Sequence, residues 1–199
     1  MDSLDLRSII LESYRKTNRV IENIIADDNF ISKIEVIAKI CTTALQNGKK
    51  MMFCGNGGSA ADSQHLSGEL VSRFKFDRPG LYAIALTVDT SIITAIGNDY
   101  GYEKAFSRQV EAIGQAGDIL IGFSTSGKST NIIKAMETAK LKGIITIGML
   151  GLDGNAVGAI SDHNINIPST ETPHIQEGHI MTGHILCDLI EQMIFGNKK

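Results

Sequence analysis

The chain has 199 residues, of which 43% are hydrophobic and 21% charged, and these proportions are ordinary for a globular protein. Its formal net charge of −3 argues against a general surface for nucleic acid or anionic membrane, although it leaves room for a local basic pocket. No apolar run reaches the roughly 18 residues that a membrane-spanning helix needs, so we expect no membrane span. The length fits one domain over residues 1–199.

The N-terminus and the cysteines both favour a cytoplasmic protein. The first ten residues, MDSLDLRSII, lack the basic and then apolar pattern of a signal peptide. The three cysteines, Cys41, Cys54 and Cys187, have a spacing that fits no zinc motif. We therefore expect reduced cysteines that are buried as small hydrophobic side chains.

Residues 1–47 are predicted to form two helices, because apolar residues recur there at intervals of three and four. The segment from Asp27 to Asn29 separates the two helices, and Asn47 and Gly48 end the second. The first helix, whose repeat includes Ile10 and Tyr14, is long for a chain of this size. We expect it to pack on the core and partly against a neighbouring subunit.

From residue 48 to residue 199, short apolar runs alternate with segments of helix length. The predicted strands are Met51–Cys54, Tyr82–Leu86, Ile119–Phe123, Ile144–Met149 and Asn164–Ile167. The predicted helices are Ser59–Phe74, Ser91–Ile96, Tyr102–Ile113, Ser129–Leu141 and Ile175–Phe195. Runs that are apolar on both faces are typical of parallel strands. The pattern predicts an α/β fold, a doubly wound five-stranded parallel sheet flanked by helices, with ligands beyond the carboxyl ends of the strands.

The first of three loops that could hold a phosphate is CGNGGS, residues 54–59. Its glycines let the backbone approach a ligand, and the N–H groups that open the next helix favour an anion. The loop lacks the Gly-Lys-Ser/Thr ending of a Walker A motif and the spacing of a dinucleotide site. The alternative is a tight turn with Ser59 as the helix N-cap.

The second loop is FSTSGKSTN, residues 123–131, and the third is IGNDYG, residues 96–101. The second places five hydroxyl groups between a strand and a helix, which favours a phosphate monoester, and Lys128 could add positive charge. The third offers Asn98 and Asp99 to sugar hydroxyls. Asn and Asp are also common turn residues, so an ordinary turn is the preferred interpretation of the third loop.

One candidate site for metal or acid/base chemistry begins with His65 and Glu69, which lie four residues apart and therefore on one face of a helix. Imidazole and carboxylate are both zinc ligands. The last helix adds His184 among apolar neighbours and Gln176 near its start, although an amide is an uncommon zinc ligand. The remaining histidines are assigned structural or surface roles: His163, His174 and His179.

The spacing of Gln176 and His184 creates a geometric difficulty, because eight residues of helix span about 12 Å along the axis. One ion reaches both only if the two side chains lean together, if Gln176 lies on the loop before the helix, or if two subunits share the site. We favour a site shared between subunits, an interpretation that a fully active monomer would exclude.

Taken together, these motifs resemble the sugar isomerase (SIS) domain and, within it, the phosphoheptose isomerase family. The resemblance covers about residues 51–194, through the segments CGNGGSAADSQH, GELVSRF, RPG, AIGNDYG, FSRQVEA, STSGKS and IQEGHI. It implies conversion of sedoheptulose 7-phosphate into D-glycero-D-manno-heptose 7-phosphate through a cis-enediol. This is the first step toward the nucleotide-activated heptoses of bacterial surface glycans such as lipopolysaccharide or capsule.

The resemblance also implies a homotetramer with active sites at subunit contacts and one zinc ion, which can be labile, per subunit. The implied zinc ligands are His65, Glu69, Gln176 and His184, and the implied catalytic acid/base pair is Glu69 and His184. The implied substrate-binding residues are Asn56, Gly57, Gly58, Glu69, Asn98, Asp99, Ser124, Thr125, Ser126, Ser129 and Gln176.

A carboxylate and an imidazole suit this chemistry, because one group must take a carbon-bound proton while another moves a hydroxyl proton. Zinc could polarise the carbonyl group. Glu69 cannot be a tight zinc ligand and a free base through the same oxygen. Either its second oxygen acts, or the zinc shifts during turnover.

The chain departs from the family at residue 174, where His stands in place of a frequent Arg and weakens a fixed positive charge. This departure bears on substrate preference. Two alternatives stay open: a non-catalytic SIS-domain regulator that binds a replication-initiator protein, and an isomerase of another sugar phosphate. The presence of both Glu69 and His184 disfavours the regulator, and a comparison of sugar phosphates of different chain length tests the second alternative.

Overall fold

A parallel sheet of five strands lies at the centre of the structure, a computed structural model that describes residues 5–196. The strands are β1 (Met51–Cys54), β2 (Ala83–Ala85), β3 (Ile119–Ser124), β4 (Ile145–Leu150) and β5 (His163–Asn166). Their order is β2-β1-β3-β4-β5, and every pairing is parallel. The sheet predicted from the sequence is therefore confirmed. The strand order reverses between β1 and β3, which is where such sheets bind ligands.

Eight α-helices surround this sheet within the described residues. They are α1 (Leu6–Ile25), α2 (Asp28–Gln46), α3 (Gly58–Val71), α4 (Thr90–Tyr100), α5 (Ser107–Ile113), α6 (Thr130–Leu141), α7 (Asn155–Ile160) and α8 (Thr172–Phe195). The carboxylates of Asp5, Asp27 and Asp89 cap the N-termini of α1, α2 and α4 by accepting backbone hydrogen bonds. No described helix combines the length and the apolar character needed to cross a membrane.

Several helix bounds differ from those predicted. The predicted helix over residues 102–113 is instead a 3-10 turn at Tyr102–Lys104 followed by α5, because Ala105 and Phe106 turn into the core between them. Helix α7 was not predicted, since six residues are too few to show a helical period. Helix α3 ends at Val71, three residues earlier than predicted.

Two further differences between predicted and observed helix bounds concern candidate site residues. Helix α4 continues through the predicted turn at residues 96–101 and ends only before Gly101, whose φ of +88° suits glycine. Helix α8 begins at Thr172 rather than Ile175, because the early proline is compatible with a first helical turn. The first difference places Asn98 and Asp99 inside a helix instead of a turn, and the second places Gln176 one turn further from the start of its helix.

The core consists of two apolar clusters, one on each face of the sheet. Helices α1, α2, α3 and α8 cover one face through residues such as Ile37, Leu70 and Ile190. Helices α5, α6 and α7 cover the other through residues such as Phe106 and Met136. This distribution makes the sheet doubly wound.

The three cysteines lie inside these clusters. Cys41, Cys54 and Cys187 are all free and buried, as predicted from the sequence. Burial raises the pKa of each thiol to about 12. The thiols are therefore protonated at neutral pH and act as hydrophobic side chains.

A buried ion pair lies at the amino ends of β1 and β3, opposite the carboxyl ends of the strands. Nζ of Lys50 lies 2.5 Å from Oδ2 of Asp118, and the two side chains are 5% and 1% exposed. Asp118 also accepts hydrogen bonds from the backbone N–H groups of Lys50 and Gln115. The carboxylate is therefore fully partnered, as a buried charge requires.

Two helices leave apolar surface uncovered in the single chain. Helix α1 buries Val20 and Ile24 against the core, whereas Ile10 and Tyr14 are 55% and 73% exposed. None of the residues of α4 is buried, and Ile92 is 40% exposed. Only part of the apolar repeat of α1 is therefore buried within this chain.

Candidate active site

The Gly-rich turn and the hydroxyl-rich loop meet at one edge of the sheet. The turn follows β1 and the loop follows β3, and these two strands are neighbours. Asn56 and Asn131 exchange two side-chain hydrogen bonds, of 3.0 and 2.8 Å, between the two segments. The hydroxyl of Tyr102 donates to the same Asn56 oxygen at 3.0 Å. The two segments are therefore in direct contact at the carboxyl ends of β1 and β3.

The Gly-rich turn depends on two glycines for different reasons. Gly57 occupies the N-cap position of α3 with φ of +57°, a conformation that L side chains rarely adopt. A Cβ atom on Gly58 would lie 2.8 Å from the amide of Gln176. Ser59 is buried inside the first turn of α3 and is not its N-cap, so that alternative is wrong.

The hydroxyl-rich loop arranges its side chains around the start of α6. The hydroxyls of Ser124 and Ser129 lie 3.0 Å apart, and Ser126 Oγ accepts a hydrogen bond from the Lys128 N–H at 3.2 Å. A pocket of about 170 Å³ opens beside Thr125, Ser126 and Lys128. Hydroxyl groups next to a helix N-terminus are suited to an anion.

Helix α7 and the turn before it support this loop from behind. The carbonyl groups of Ser126 and Gly127 accept hydrogen bonds from Asn155 Nδ2 at 2.8 Å and from the Val157 N–H at 2.9 Å. Gly127 has φ of +64°, and a Cβ atom there would lie 2.1 Å from the carbonyl oxygen of Gly154. The loop is thus held in one conformation by an element that the sequence pattern did not predict.

Asn98 and Asp99 lie in the last turn of α4, not in the turn that the sequence predicted. Both are exposed, and Asn98 Nδ2 donates to Asp99 Oδ1 at 2.8 Å. Among residues 5–196, no hydrogen bond joins either of them to the two loops. Their role toward a substrate stays a prediction.

His65, Glu69 and His184 form one cluster between α3 and α8. The Nε2 atoms of His65 and His184 lie 2.8 Å apart, and His65 Nε2 lies 3.2 Å from Glu69 Oε1. One ligand atom from each residue lies within 4.8 Å of the others. His65 is exposed, while the other two are partly buried, so the cluster is open to solvent on one side.

This cluster has the donor set of a catalytic zinc site. Two imidazole nitrogens and one carboxylate oxygen are a known three-ligand arrangement for Zn²⁺, with a fourth position open for water or substrate. The same groups can also serve as an acid and a base at neutral pH. The cluster can therefore hold a metal ion, transfer protons, or do both.

Helices α3 and α8 run in the same direction and pack side by side. A Cβ atom on Gly183 would lie 2.5 Å from Leu66, so the two helices come close together beside the cluster. Gln176 lies in the second turn of α8, so its placement on a preceding loop is excluded. Its amide lies against Gly58, seven residues and about 10 Å of helix before His65. Gln176 therefore borders the Gly-rich turn in this chain.

Asp62 is a neighbour of the cluster that sequence reasoning missed. It lies three residues before His65 on α3, and its Oδ2 atom is buried without a hydrogen-bond partner among the described residues. Burial raises the pKa of Asp62 to about 6, although the charge of His65 acts in the opposite direction. Its position three residues before His65 on the same helix is the sequence feature that could have identified it as a neighbour of the cluster.

Phe74 is a second neighbour that was missed. It lies in the loop after α3, and its ring centroid is 5.7 Å from that of His184. The sequence placed Phe74 at the end of a longer helix, where no such contact is predictable. The ring borders one side of the His184 imidazole.

The other histidines lie outside the cluster. His174 Nδ1 is 3.0 Å from Glu177 Oε2 and 3.1 Å from Thr17 Oγ1, which joins α1 to α8. His179 is fully buried, and its Nε2–H donates to the Leu150 carbonyl at 3.1 Å. Burial lowers the pKa of His179 to about 4, so it is neutral at pH 7. These contacts agree with the structural roles expected for both.

Comparison with known proteins gives consistent matches along the chain. A family model described as the SIS domain matches residues 13–151. The phosphoheptose isomerase of Burkholderia pseudomallei (strain 1710b) is 52% identical over 189 residues, covering 95% of this chain and 96% of that protein. The phosphoheptose isomerase of Aneurinibacillus thermoaerophilus is 57% identical over 177 residues, 89% of each chain. The solved structure of phosphoheptose isomerase GmhA from Neisseria gonorrhoeae matches with a TM-score of 0.88 and 38% identity, covering 94% of this chain and 99% of that one.

Proposed function

The chain belongs to the phosphoheptose isomerase family of SIS-domain enzymes, and we propose that its His65–Glu69–His184 cluster carries the isomerisation of sedoheptulose 7-phosphate. The product is D-glycero-D-manno-heptose 7-phosphate, which enters heptose synthesis. The reaction moves a proton between two neighbouring carbons through an enediol. The observation that carries the proposal is the convergence of two imidazoles and one carboxylate on the helix that follows the Gly-rich turn and on its neighbour α8.

Glu69 is proposed as the base that takes the carbon-bound proton. Its Oε1 atom lies 3.2 Å from His65 Nε2, and Oε2 is proposed as the oxygen that accepts the proton. His184 is proposed to move the proton between the carbonyl and hydroxyl oxygens, because an imidazole can donate and accept near neutral pH. Assigning different oxygens of Glu69 to the two tasks resolves the conflict between holding a metal and acting as a base.

The cluster is also proposed to hold one zinc ion per subunit. His65, Glu69 and His184 supply the three ligands, and their nitrogen and oxygen atoms fit the preference of Zn²⁺. Bound zinc would polarise the substrate carbonyl and stabilise negative charge on its oxygen. Gln176 is retained as a fourth ligand only if its amide turns from Gly58 toward the cluster.

The region where the two loops meet is proposed to hold the sugar phosphate. The hydroxyl-rich loop and the start of α6 suit the phosphate group, whereas the Gly-rich turn lies next to α3 and the cluster. The proposed substrate-binding residues are Asn56, Gly57, Gly58, Glu69, Asn98, Asp99, Ser124, Thr125, Ser126, Ser129 and Gln176.

A homotetramer with active sites at subunit contacts is proposed as the working form. The uncovered apolar surfaces of α1 and α4 support it, since exposed side chains such as Ile10, Tyr14 and Ile92 would be buried by a second copy. Helix α4 also carries Asn98 and Asp99. Covering α4 with another subunit would bring these two residues to a shared site.

The decisive experiment incubates the purified protein with sedoheptulose 7-phosphate and follows the aldoheptose phosphate by NMR. We expect product with the wild-type protein, a lower rate after chelation, and recovery with added zinc. The Glu69→Gln variant should lose most of the rate, because an amide cannot accept the carbon-bound proton. Folded, zinc-loaded protein that forms no product would contradict the function, and a rate unaffected by chelation would contradict the zinc assignment.

A further inference from the structure

The last turn of α3 has an unusual support outside the cluster. The last four carbonyl groups of any α-helix lack partners within the helix, and such ends fray unless they are capped. In α3 this turn spans Gly68–Val71, and it contains Glu69. The proposed base is therefore on the least constrained turn of its helix.

Arg78 caps this turn with its guanidinium group. Its Nη2 donates to the carbonyl of Glu69 at 2.9 Å, and its Nη1 donates to the carbonyl of Leu70 at 2.6 Å. Nη1 also reaches the carbonyl of Ser72 at 3.2 Å, just past the helix end. A positive charge at a helix C-terminus is favourable, and the planar fork of arginine binds several carbonyls at once.

Glu191 on α8 completes the arrangement from the other side. Its Oε1 accepts from Arg78 Nε at 3.0 Å and from the Phe74 N–H at 2.9 Å, and its Oε2 accepts from the Lys75 N–H at 2.7 Å. The Arg78 and Glu191 side chains are 2% and 0% exposed. Burial acts to raise the pKa of Glu191, but these hydrogen bonds outweigh it and hold that pKa below its ordinary value.

We propose that the buried Arg78–Glu191 pair positions the proposed catalytic residues, by fixing the last turn of α3 and the loop after it against α8. One end of the pair holds the backbone of Glu69, and the other holds the backbone of Phe74, whose ring lies beside His184. Neither Arg78 nor Glu191 belongs to the cluster, so both are positioning residues. The inference rests on the proposed roles of Glu69 and His184.

A buried charge pair also contributes to stability, so the test needs a control that separates stability from positioning. The Lys50–Asp118 pair provides it, because it is equally buried but lies at the opposite edge of the sheet. Lys50→Met and Arg78→Met each leave one buried carboxylate without its cation. Both variants should be less stable to urea, since an unpaired buried charge is strongly destabilising.

The experiment compares kcat, KM and amide hydrogen exchange for wild type, Arg78→Met and Lys50→Met, at a temperature where each is folded. We expect kcat of Arg78→Met to fall by about ten- to a hundredfold, as for other residues that orient ligands from outside a site. Its KM should change less, because the hydroxyl-rich loop is untouched. Exchange in the peptide over residues 66–78 should accelerate in Arg78→Met and stay at the wild-type rate in Lys50→Met.

Arg78→Lys and Glu191→Gln keep the test decisive if Arg78→Met does not fold. Arg78→Lys retains the charge but not the fork, so its kcat should lie between wild type and Arg78→Met. Wild-type kcat in folded Arg78 and Glu191 variants would overturn the inference, as would an equal loss of kcat in Lys50→Met. An inactive wild type would instead contradict the proposed function, and unchanged exchange over residues 66–78 would then still overturn the positioning role.

Discussion

His179 shows how one buried side chain couples the fold to pH. Its ring is enclosed between α8 and the sheet, against Phe123, and its hydrogen bond to the Leu150 carbonyl joins α8 to the end of β4. It is also located between Gln176 and His184 along α8. A charge on this ring would have to be accommodated in the core without a counter-ion.

The His179→Gln variant should reduce the acid sensitivity of the fold. The pKa of His179 is about 4 in the folded protein, against an ordinary value of 6.5. Between these values the unfolded chain binds a proton that the folded chain excludes, so the free energy of unfolding falls as pH falls from 6.5 toward 4. The loss is roughly 3 kcal/mol for a fully buried group. Urea unfolding at neutral pH and at a pH of about 4 measures this loss of unfolding free energy.

Glutamine is a suitable replacement because its amide can still donate to the Leu150 carbonyl and does not titrate. Other groups, such as Asp62, titrate in the same range in both proteins and cancel in the difference between them. An equal loss of stability in wild type and variant over this range would show that His179 is not the responsible group.

At the residue scale, the sequence predicted the members of the cluster better than their surroundings. His65 and Glu69 could be identified from the sequence because a spacing of four places two residues on one face of a helix. Arg78 and Glu191 are 113 residues apart, and Phe74 reaches His184 only because α3 ends early. Contacts of this kind depend on the packing of two helices and have no signal in local spacing.

At the element scale, α4 is the helix least supported by its own chain. Its residues pack mainly against the 3-10 turn that follows it, and none of them is buried. The helix nevertheless has a capped N-terminus and a glycine end, so its sequence specifies it locally. We therefore interpret its apolar side chains as surface that another subunit covers.

The Ile92→Lys variant should weaken assembly and activity together. A lysine placed in a buried interface loses its hydration without gaining a partner, whereas the same side chain is harmless in a monomer. We expect a smaller particle by light scattering and a lower rate of isomerisation. Leu141→Lys is the matched control, because Leu141 is 90% exposed on α6. An unchanged particle size for Ile92→Lys would show that α4 is not part of the subunit interface.

The elements differ in how far they could be predicted. Strands β1, β3 and β4 were clear because they are largely apolar on both faces, and the helices α2 and α6 because their periods are regular. Helix α7 is too short to show a period, and α4 extends through Gly97, Asn98 and Asp99, which resemble a turn in sequence. Helix α7 therefore has no periodic signal in the sequence, and in α4 the capped N-terminus and the glycine end outweigh the turn preference of these three residues.

At the scale of the whole molecule, zinc binding should appear as thermal stability. A ligand that binds only the folded state raises the free energy of unfolding by about 2.7 kcal/mol at a hundred times its Kd. For a chain of this length that is a rise of about 5–10 °C in Tm. Differential scanning calorimetry with and without zinc measures it directly.

Variants of the cluster identify where the ion binds. His65→Gln and His184→Gln should each abolish most of the zinc-dependent rise in Tm, because each removes one of three ligands. His163→Gln is the matched control, since that histidine lies on β5 and outside the cluster. A rise that persists in both cluster variants would place the zinc elsewhere.

The five-stranded parallel sheet and the edge at which the two loops meet followed from the sequence, because the carboxyl ends of parallel strands lie at one edge of a sheet. The subunit arrangement did not follow in the same way. A single chain shows only which surfaces are uncovered, and Gln176 illustrates the limit, since its amide lies beside Gly58 in this chain. The distances between subunits depend on contacts that no local pattern specifies.

The hydroxyl-rich loop has one further consequence, for how the enzyme responds to acidity. The anion-binding groups proposed for it are the hydroxyls of Ser124, Thr125, Ser126 and Ser129 and the N–H groups at the start of α6. Neither kind of group ionises in the physiological range, whereas a phosphate monoester gains a proton near pH 6. With the phosphate bound there as proposed, substrate capture follows the ionisation of the sugar phosphate itself.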